Sequence, residues 1–515
     1  MKLDLLIHYL VTELNSESLI LAVGDQKLLN QYPEVIISHI TDDSREVDTG
    51  SLFIAVPGLR MDGRKFIADA IERGAAAIFY QPMDTASSPE FEISHTDYSP
   101  AIPVVPIPNL LSLVGLLASF FYGQPSSKIK VIGITGTNGK TSCSHYLAQV
   151  LSKVGQTCAV AGTVGNGFLP QLMPSKLTTV SSIHLQRNLA KFFNQGAKTV
   201  AMEVSSHSLT QHRVEGIEFA VAVLTHLSRD HLDYHGTMEA YAAAKSLLFV
   251  QPHLKKAVLN WDDPLGKTLI QRHQSNLEII GYSATGSKHP KVPSVVAENI
   301  ELSPHGFQFN LITPWGQSWV TVPLLGRFNI SNVLAVVSVL GLFEVPFAEI
   351  VKHLSQLHSV VGRMELFQAK NKPQVIVDYA HTPDALEKVL LSLREHQPKK
   401  LWCIFGCGGD RDQGKRPLMA KVVEQYAEEI TITNDNPRHE DPEQIITGIV
   451  GGLSESTKYR VQLDRAEAIA NVIAQANSED IVLVAGKGHE QVQIIGSQEF
   501  PFSDQAIVLK CLAME

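Results

Sequence analysis

From Lys128 onward the chain repeats one unit: a short apolar run, a turn of small or polar residues, then a run with helical spacing. "KIKVIGIT" leads through "GTNGK" into "TSCSHYLAQVLSKVG", where Leu147, Val150 and Leu151 share one helical face. "KTVAMEVSS", "FAVAVLTHLS" and "KAVLNWDD" are further strands. After "HSVVGRMELF" the rhythm restarts with the strand "QVIVDYA" and the helix "TPDALEKVLLSLREH", with Thr382 as N-cap and Pro383 at its first position. "KLWCIFGCGG", "EITITND" and "DIVLVAGKG" follow, separated by the helical runs "KRPLMAKVVEQYA" and "RAEAIANVIAQA". Strands joined through helices must run parallel. The pattern therefore confines the chain to an α/β fold with mainly parallel sheets and ligands at the carboxyl ends of the strands.

A chain of 515 residues is too long for one ordinary core and predicts two to four domains. The first hundred residues give strands in "GSLFIAVPG" and "GAAAIFYQP" around the helix "GRKFIADAIERG". The proline-rich "SPAIPVVPIPNL" then marks a first boundary. There is no internal repeat.

Net charge is 43 − 52 = −9, and no basic run interleaved with aromatics occurs, which argues against nucleic acid as a partner. The N-terminal run carries Asp4 and Glu13 and is a poor signal peptide. "NLLSLVGLLASFFYG" falls short of the roughly 18–20 residues that span a bilayer. Cys143, Cys158, Cys403, Cys407 and Cys511 form no CxxC pair and read as small buried hydrophobes in a reducing compartment. The expectation is a cytoplasmic protein that does not insert into membranes and works as a monomer.

"GITGTNGKTS" lies where a phosphate-binding loop belongs, between strand and helix. Gly136 and Gly139 let backbone N–H groups turn toward phosphate oxygens, Lys140 can reach the β/γ-phosphates, and the Thr141 hydroxyl can ligate Mg²⁺. Ile134 stands where the strict GxxxxGK[ST] pattern has its first glycine. "GDRDQGKRP" fits that pattern better by letter, but Arg416 replaces the metal-binding hydroxyl and Asp410 and Asp412 would repel phosphate. It is rejected as a second loop, with Arg411 kept as a candidate ligand residue. Glu203 ends an apolar strand, and "LSRDHLDYH" likewise follows one, positions suited to holding Mg²⁺. His231 and His235 also stand at i, i+4, which is weak support for zinc. Lys245, in "EAYAAAKSLLF", reads by spacing alone as a surface lysine.

"GTNGKT", "MEVSSHSLTQHR", "LSRDHLDYHG", "AAAKSLLF", "LLGRFNISN", "VVGRMELF", "VDYAHTPDALEK", "FGCGGDRDQGKRP", "NDNPR" and "AGKGHE", in this order, closely resemble the Mur ligase family. Within it the chain looks like the members that add meso-diaminopimelate. The resemblance runs from "TDDSREVDTGSLFIAVPG" to "FSD". It implies a UDP-muramoyl-binding domain at 1–108, a P-loop-type ATP-binding domain at 109–359 and a Rossmann-like amino-acid-binding domain at 360–515. It also implies ATP-dependent joining of meso-diaminopimelate to UDP-N-acetylmuramoyl-L-alanyl-D-glutamate through an acyl phosphate, with the third domain closing on the second.

Carried over residue by residue, it places ATP at Gly136, Thr137, Asn138, Gly139, Lys140, Thr141, Ser142, Asn329, Asn332, Arg363 and Asp378. Mg²⁺ is expected at Thr141, Glu203, His231 and Lys245, the last carrying a CO₂-derived carbamate, with Lys140, Glu203, His231 and Lys245 catalytic. The muramoyl dipeptide nucleotide is expected at Asp42, Ser44, Thr178, Thr179, Ser205, Gln211 and Arg213. "TTVSSIHLQ" is variable in the family beyond its two threonines, so nothing further is carried over there.

The turn "TNDNPRHEDPE" sets a guanidinium, Arg438, among Asp435, Glu440, Asp441 and Glu443. meso-Diaminopimelate is in effect lysine with an added carboxylate, which a planar guanidinium can clamp through two parallel hydrogen bonds. The resemblance places Arg411, Asp435, Asn436, Pro437, Arg438, Gly486 and Glu490 around that amino acid. The competing reading of Arg438 is a surface ion pair with Glu440 or Asp441, worth under about 1 kcal/mol. Two other functions remain open on sequence: a folylpolyglutamate-synthetase-like ligase, and a nucleotide-gated binding protein without ligase chemistry.

Overall fold

The computed structural model describes residues 1–12, 35–58, 61–82, 102–175, 177–303 and 305–513. Ser99–Ala101, at the head of the proline-rich stretch, lie outside them. The chain forms two compact units, one of Met1–Thr135, Gln156–Ala222 and Arg229–Lys256, the other of Gly136–Gly155, Val223–Ser228 and Ala257–Glu515.

In the first unit, strands His39–Thr41, Ser51–Ala55, Ala77–Tyr80 and Val104–Pro106 form a wholly parallel four-stranded sheet in that order. Every residue of Ser51–Ala55 is buried, because helices cover both sides of the sheet. Leu52 and Ile54 face a core shared with helices Leu3–Thr12 and Leu110–Phe121, whereas Phe53 and Ala55 face helix Ile67–Glu72. The apolar run at 110–121 is thus an ordinary core helix, and no described helix is long and apolar enough to cross a membrane. Further along, strand Thr199–Glu203 pairs in parallel with both Lys130–Thr135 and Cys158–Ala161, and Ile134 stands beside Glu203 in the register. Two short antiparallel strands, Asn166–Phe168 and Gln171–Met173, extend this arrangement past Cys158–Ala161.

The second unit contains a departure from strand–helix alternation. Strands Ser294–Ser303, Gly306–Thr313 and Gly316–Val322 form an antiparallel meander, joined in parallel to Glu278–Ser283. Beside it lies helix Phe328–Leu342, buried over nearly its whole circumference. The same unit holds a six-stranded sheet in the order Glu365–Phe367, Gln374–Asp378, Ile481–Ala485, Leu401–Phe405, Glu429–Ile432, Tyr459–Val461. All its pairs are parallel except the first.

Period-two alternation explains its two cores. Leu401, Cys403 and Phe405 join the core under helices Pro383–Arg394, Lys415–Tyr426 and Pro442–Val450; Trp402 and Ile404 join that under Arg465–Gln475 and Asp504–Ala513. Thr382 caps Pro383–Arg394 by accepting from the Ala385 amide. Because the strands are parallel, the loops at 378–381, 406–411, 433–438 and 486–490 all leave carboxyl ends of one sheet.

Candidate active site

Strand Lys130–Thr135 runs one residue past Ile134, which is fully buried, so the glycine loop starts only at Gly136. That is the physical reason for the departure from GxxxxGK: Gly136, at φ 150, makes the turn that a glycine at 134 would otherwise make. A side chain at Gly136 would collide with the Thr225 hydroxyl. The loop is then clamped: the Thr137 amide donates to the His226 carbonyl (2.8 Å), its hydroxyl to the Ser228 carbonyl (3.1 Å), and the Thr225 hydroxyl to the Asn138 carbonyl (2.6 Å). Gly139, at φ 87, precedes helix Lys140–Lys153 and lies against the Asn332 amide. Lys140 Nζ donates to the carbonyls of Gly136 (2.8 Å) and Thr137 (2.9 Å). Thr141 and Ser142 are buried in the first turn.

Asn329 and Asn332 stand on the one-face spacing of helix Phe328–Leu342. Asn332 Nδ2 donates to Asn329 Oδ1 (2.9 Å), which also accepts from Tyr146 (3.3 Å), and Asn329 Nδ2 donates to the Leu325 carbonyl (2.7 Å). Both asparagines thus brace the helix that carries Lys140.

Arg363 lies over the Tyr379 ring, 4.7 Å from its centroid, and Tyr379 in turn meets His381 and His489. Asp378 ends its strand with both oxygens engaged by backbone amides, of Met364 (2.7 Å) and Ala380 (2.8 Å). Burial raises the Asp378 carboxyl above its ordinary range, opposed by the Arg363 charge. His145, in helix Lys140–Lys153, is 3% exposed and held neutral, down to about 4, by burial and then by Arg363.

In the first unit Glu203 is 1% exposed. The Thr163 amide and hydroxyl fix its two oxygens at 2.9 and 3.1 Å, and a side chain at Gly162 would collide with them. Thr163 also links to Thr178 (3.1 Å), while Thr179 donates to the Glu203 carbonyl (3.0 Å). Arg213 donates to the Thr179 carbonyl (2.9 Å) and bonds Gln211; Ser205 caps helix Ser206–Thr210 beside Thr179. The structure therefore gathers Thr178, Thr179, Ser205, Gln211 and Arg213 around one strand end. Asp42 joins them through the Ser181 hydroxyl (3.5 Å), with its carboxyl raised by burial, and Ser44 is buried nearby in the turn Ser44–Glu46.

Ser181, His184 and Glu46 form a hydrogen-bonded chain beside Asp42, with Ser181 to His184 at 3.0 Å and His184 to Glu46 at 3.2 Å. Ser181 and His184 fall in the stretch set aside as variable, and Glu46 lies two residues beyond Ser44, the last residue carried over in "TDDSR".

His231 lies in the loop before helix Leu232–His235, well past the end of strand Phe219–Leu224. Its ring packs near His207 and Tyr241. His235 Nε2 is bonded to the Ser206 hydroxyl (2.9 Å), which speaks against zinc at HxxxH. No group of three or more His, Cys, Asp or Glu among the described residues could hold a metal ion. Lys245 corrects the reading from spacing: it is 1% exposed, with Nζ 4.4 Å over the Tyr241 ring. The alanines around it let neighbouring elements close over the helix.

The residues expected around the amino acid come together at the carboxyl ends of the six-stranded sheet. Arg438 has a left-handed backbone (φ 52) and donates from Nη1 to the Gly409 carbonyl (2.8 Å). The surface ion pair weighed for it is excluded, since Glu440 is gripped by Arg416 and Asp441 caps helix Pro442–Val450. Gly408 lies directly beneath: a side chain there would meet Arg438 Nη1 at 2.9 Å and Arg411 Cγ at 3.6 Å. Asn436 Nδ2 donates to Glu490 Oε2 (2.8 Å), and Lys487, fully buried, donates to Asn436 Oδ1 (2.9 Å) and Glu490 Oε2 (3.0 Å). Gly486, at φ 117, lets the Asp435 carboxylate approach, and Pro437 is buried in the turn.

Underneath, Arg465 and Asp504 form a fully buried bidentate pair, and Arg465 also donates to the carbonyls of Asn434 and Ala485, the residues preceding Asp435 and Gly486. In "GDRDQGKRP", Lys415 donates to the His381 carbonyl (2.9 Å), and Arg416, in place of a metal-binding hydroxyl, is engaged with Glu440.

A clamped glycine-rich loop between strand and helix, and a polar cluster at the carboxyl ends of a mainly parallel sheet, are the arrangement that the Mur ligase resemblance implies. The Mur ligase family catalytic domain matches residues 36–122, the Mur ligase middle domain 134–340, and the Mur ligase glutamate ligase domain 362–488. The UDP-N-acetylmuramoyl-L-alanyl-D-glutamate–2,6-diaminopimelate ligase of Coxiella burnetii is 50% identical over 483 residues, 93% of this chain and 96% of its own. That of Pseudomonas aeruginosa is 46% identical over 471 residues, 92% and 94% of the two chains. A solved structure of a ligase of the same name superposes with TM-score 0.69 at 37% identity, covering 94% of this chain and 96% of its own. A folylpolyglutamate synthase of Mycobacterium tuberculosis shares the fold alone, at 17% identity and TM-score 0.58 over 73% of this chain. The chain belongs to the Mur ligase family.

Proposed function

We propose that this protein joins meso-diaminopimelate to UDP-N-acetylmuramoyl-L-alanyl-D-glutamate at the expense of ATP, as a single chain in the cytoplasm, on the route to peptidoglycan. One observation carries the choice of amino acid. Arg438 is half-buried, anchored through one nitrogen to a carbonyl, and relieved of its neighbouring carboxylates by Arg416 and a helix cap. Such a fork suits the distal carboxylate that distinguishes meso-diaminopimelate from lysine. The Coxiella burnetii and Pseudomonas aeruginosa relatives are named for 2,6-diaminopimelate.

In the reaction, an oxygen of the D-glutamyl carboxylate attacks the γ-phosphorus of ATP, and ADP departs. The amine of meso-diaminopimelate attacks the resulting acyl carbon, loses its proton, and phosphate leaves with the bridging oxygen. Lys140 and the loop from Gly136 to Ser142 bind and neutralise the phosphates, and Arg363 and Asp378 orient the nucleotide. Asp42, Ser44, Thr178, Thr179, Ser205, Gln211 and Arg213 hold the dipeptide nucleotide. Asp435, Asn436, Gly486, Glu490 and Arg411 orient the diamino acid against Arg438.

Glu203 would offer Mg²⁺ a carboxylate and Thr141 a hydroxyl, the oxygen donors that a hard cation takes, and His231 would add a softer nitrogen donor. Lys245 fits carbamylation, which turns a buried amine into an anionic oxygen donor. Mg²⁺ held by these residues would screen the transferring phosphate.

Phosphate release with substrates added singly and together tests the reading. It is expected only when both acceptor and diamino acid are present, and Arg438→Lys should lower kcat/KM for meso-diaminopimelate by about a hundredfold or more. Unchanged kinetics in that variant would remove the assignment. Carbamylation is checked by the carbamate ¹³C signal in ¹³C-bicarbonate, which Lys245→Met should abolish.

A further inference from the structure

We propose that the C-terminal hairpin, Val492–Ile495 with Gln498–Pro501, is a specificity element that holds Arg438 in its working position. The proposal rests on the reading of Arg438 given above. The two strands pair with each other as a separate two-stranded sheet, a parallel bridge joins Ile495 to Arg438, and the strand residues are half-buried or exposed. Such a ribbon has little stability of its own, because it buries too little apolar surface. Among the described residues, its inward hydrogen bonds go to the turn at 435–438.

Gln493 Nε2 donates to the Asp435 carbonyl at 2.8 Å, and the Ile494 amide donates to Asn436 Oδ1 at 3.0 Å. The Arg438 amide donates to the Ile494 carbonyl at 3.1 Å, and the Gly496 amide donates to the Arg438 carbonyl at 2.7 Å. Both backbone groups of Arg438 are therefore held by the hairpin. The grip matters because Arg438 is left-handed (φ 52), a conformation that a residue with a Cβ leaves readily when unsupported. Gly496 is itself left-handed (φ 59), and a Cβ added there would meet nothing within 4 Å, so substitutions act on the backbone and not through collisions. No residue of the hairpin needs to touch substrate; Gly496 is a positioning residue.

The test is steady-state kinetics of the full-length enzyme with meso-diaminopimelate and with L-lysine. Gly496→Pro removes the donor to Arg438 and, because proline cannot adopt a positive φ, the left-handed turn that presents it. It is expected to raise KM for meso-diaminopimelate about tenfold or more and to narrow the preference over lysine by a similar factor. KM for ATP and for the dipeptide nucleotide should stay within about twofold, because neither site uses the hairpin. Gly496→Asn, which keeps the N–H and tolerates the left-handed region, should return to within about threefold of wild type. Should the proline variant fail to fold, Gly496→Ala decides, with an intermediate rise in the same KM alone. An unchanged KM for meso-diaminopimelate, or all three KM values rising together, overturns the proposal while leaving the functional reading in place. A wild-type enzyme indifferent to meso-diaminopimelate overturns that reading, and the hairpin's role with it.

Discussion

Arg416 grips both oxygens of Glu440, each at 2.7 Å, in a pair whose side chains are only 4% and 13% exposed. The bond holds the Glu440 carboxyl below its ordinary range and keeps it from Arg438, two residues away in sequence. Arg416→Met should therefore do two things. It should destabilise the protein by about 2 kcal/mol, since a largely buried carboxylate loses its partner. It should also raise KM for meso-diaminopimelate, because the released carboxylate competes for the Arg438 fork. Thermal midpoints and KM values measured on one preparation check both, and restoring neutrality with Arg416→Met plus Glu440→Gln should recover the KM.

Arg465 and Asp504 are fully buried and tie together the strand ends that carry Asp435 and Gly486. Either Arg465→Met or Asp504→Leu alone should lose about 3–5 kcal/mol, through the unpaired charge left behind. The double variant should lose less than the sum of the two. Chemical denaturation of all four proteins gives the coupling; additive losses would show that the pair is not energetically a unit.

Gly162 lies where any Cβ would meet the Glu203 carboxylate, whose oxygens Thr163 holds. Gly162→Ala is expected to cut kcat by about a hundredfold, comparable to the loss of one preorganised electrostatic contact. The loss should fall on phosphate transfer, visible as a matching drop in ADP formation.

His145 ties stability to pH. Its folded value of about 4 lies below the unfolded value, so the unfolded chain binds more protons between those limits. Stability is complete above pH about 6.5 and falls as the pH drops toward 4, by about 2 kcal/mol at pH 5 for this one group. Urea denaturation of wild type and His145→Gln between pH 7 and pH 5 should show a shallower acid decline in the variant.

The chain's own letters determined a good deal. Period-two runs, capping residues such as Thr382 and the glycine-rich turn after Lys130–Thr135 dictate strands, helices and a phosphate-type loop through local geometry alone. Parallel strands then put their connecting loops at carboxyl ends, so a polar cluster at "NDNPR" was legible as a binding turn. The meander from Ser294 to Val322 went unread, since its hairpin turns carry weaker local signals than strand–helix alternation.

What only the tertiary structure decided is which charges find partners. Lys245 reads as exposed by spacing yet is buried, because burial depends on what packs over a helix. Among the carboxylates near Arg438, Glu440 went to Arg416, from a helix more than twenty residues upstream. Ion pairing acts through space and is blind to sequence distance, and that is why Arg438's freedom from a carboxylate had to be seen in three dimensions.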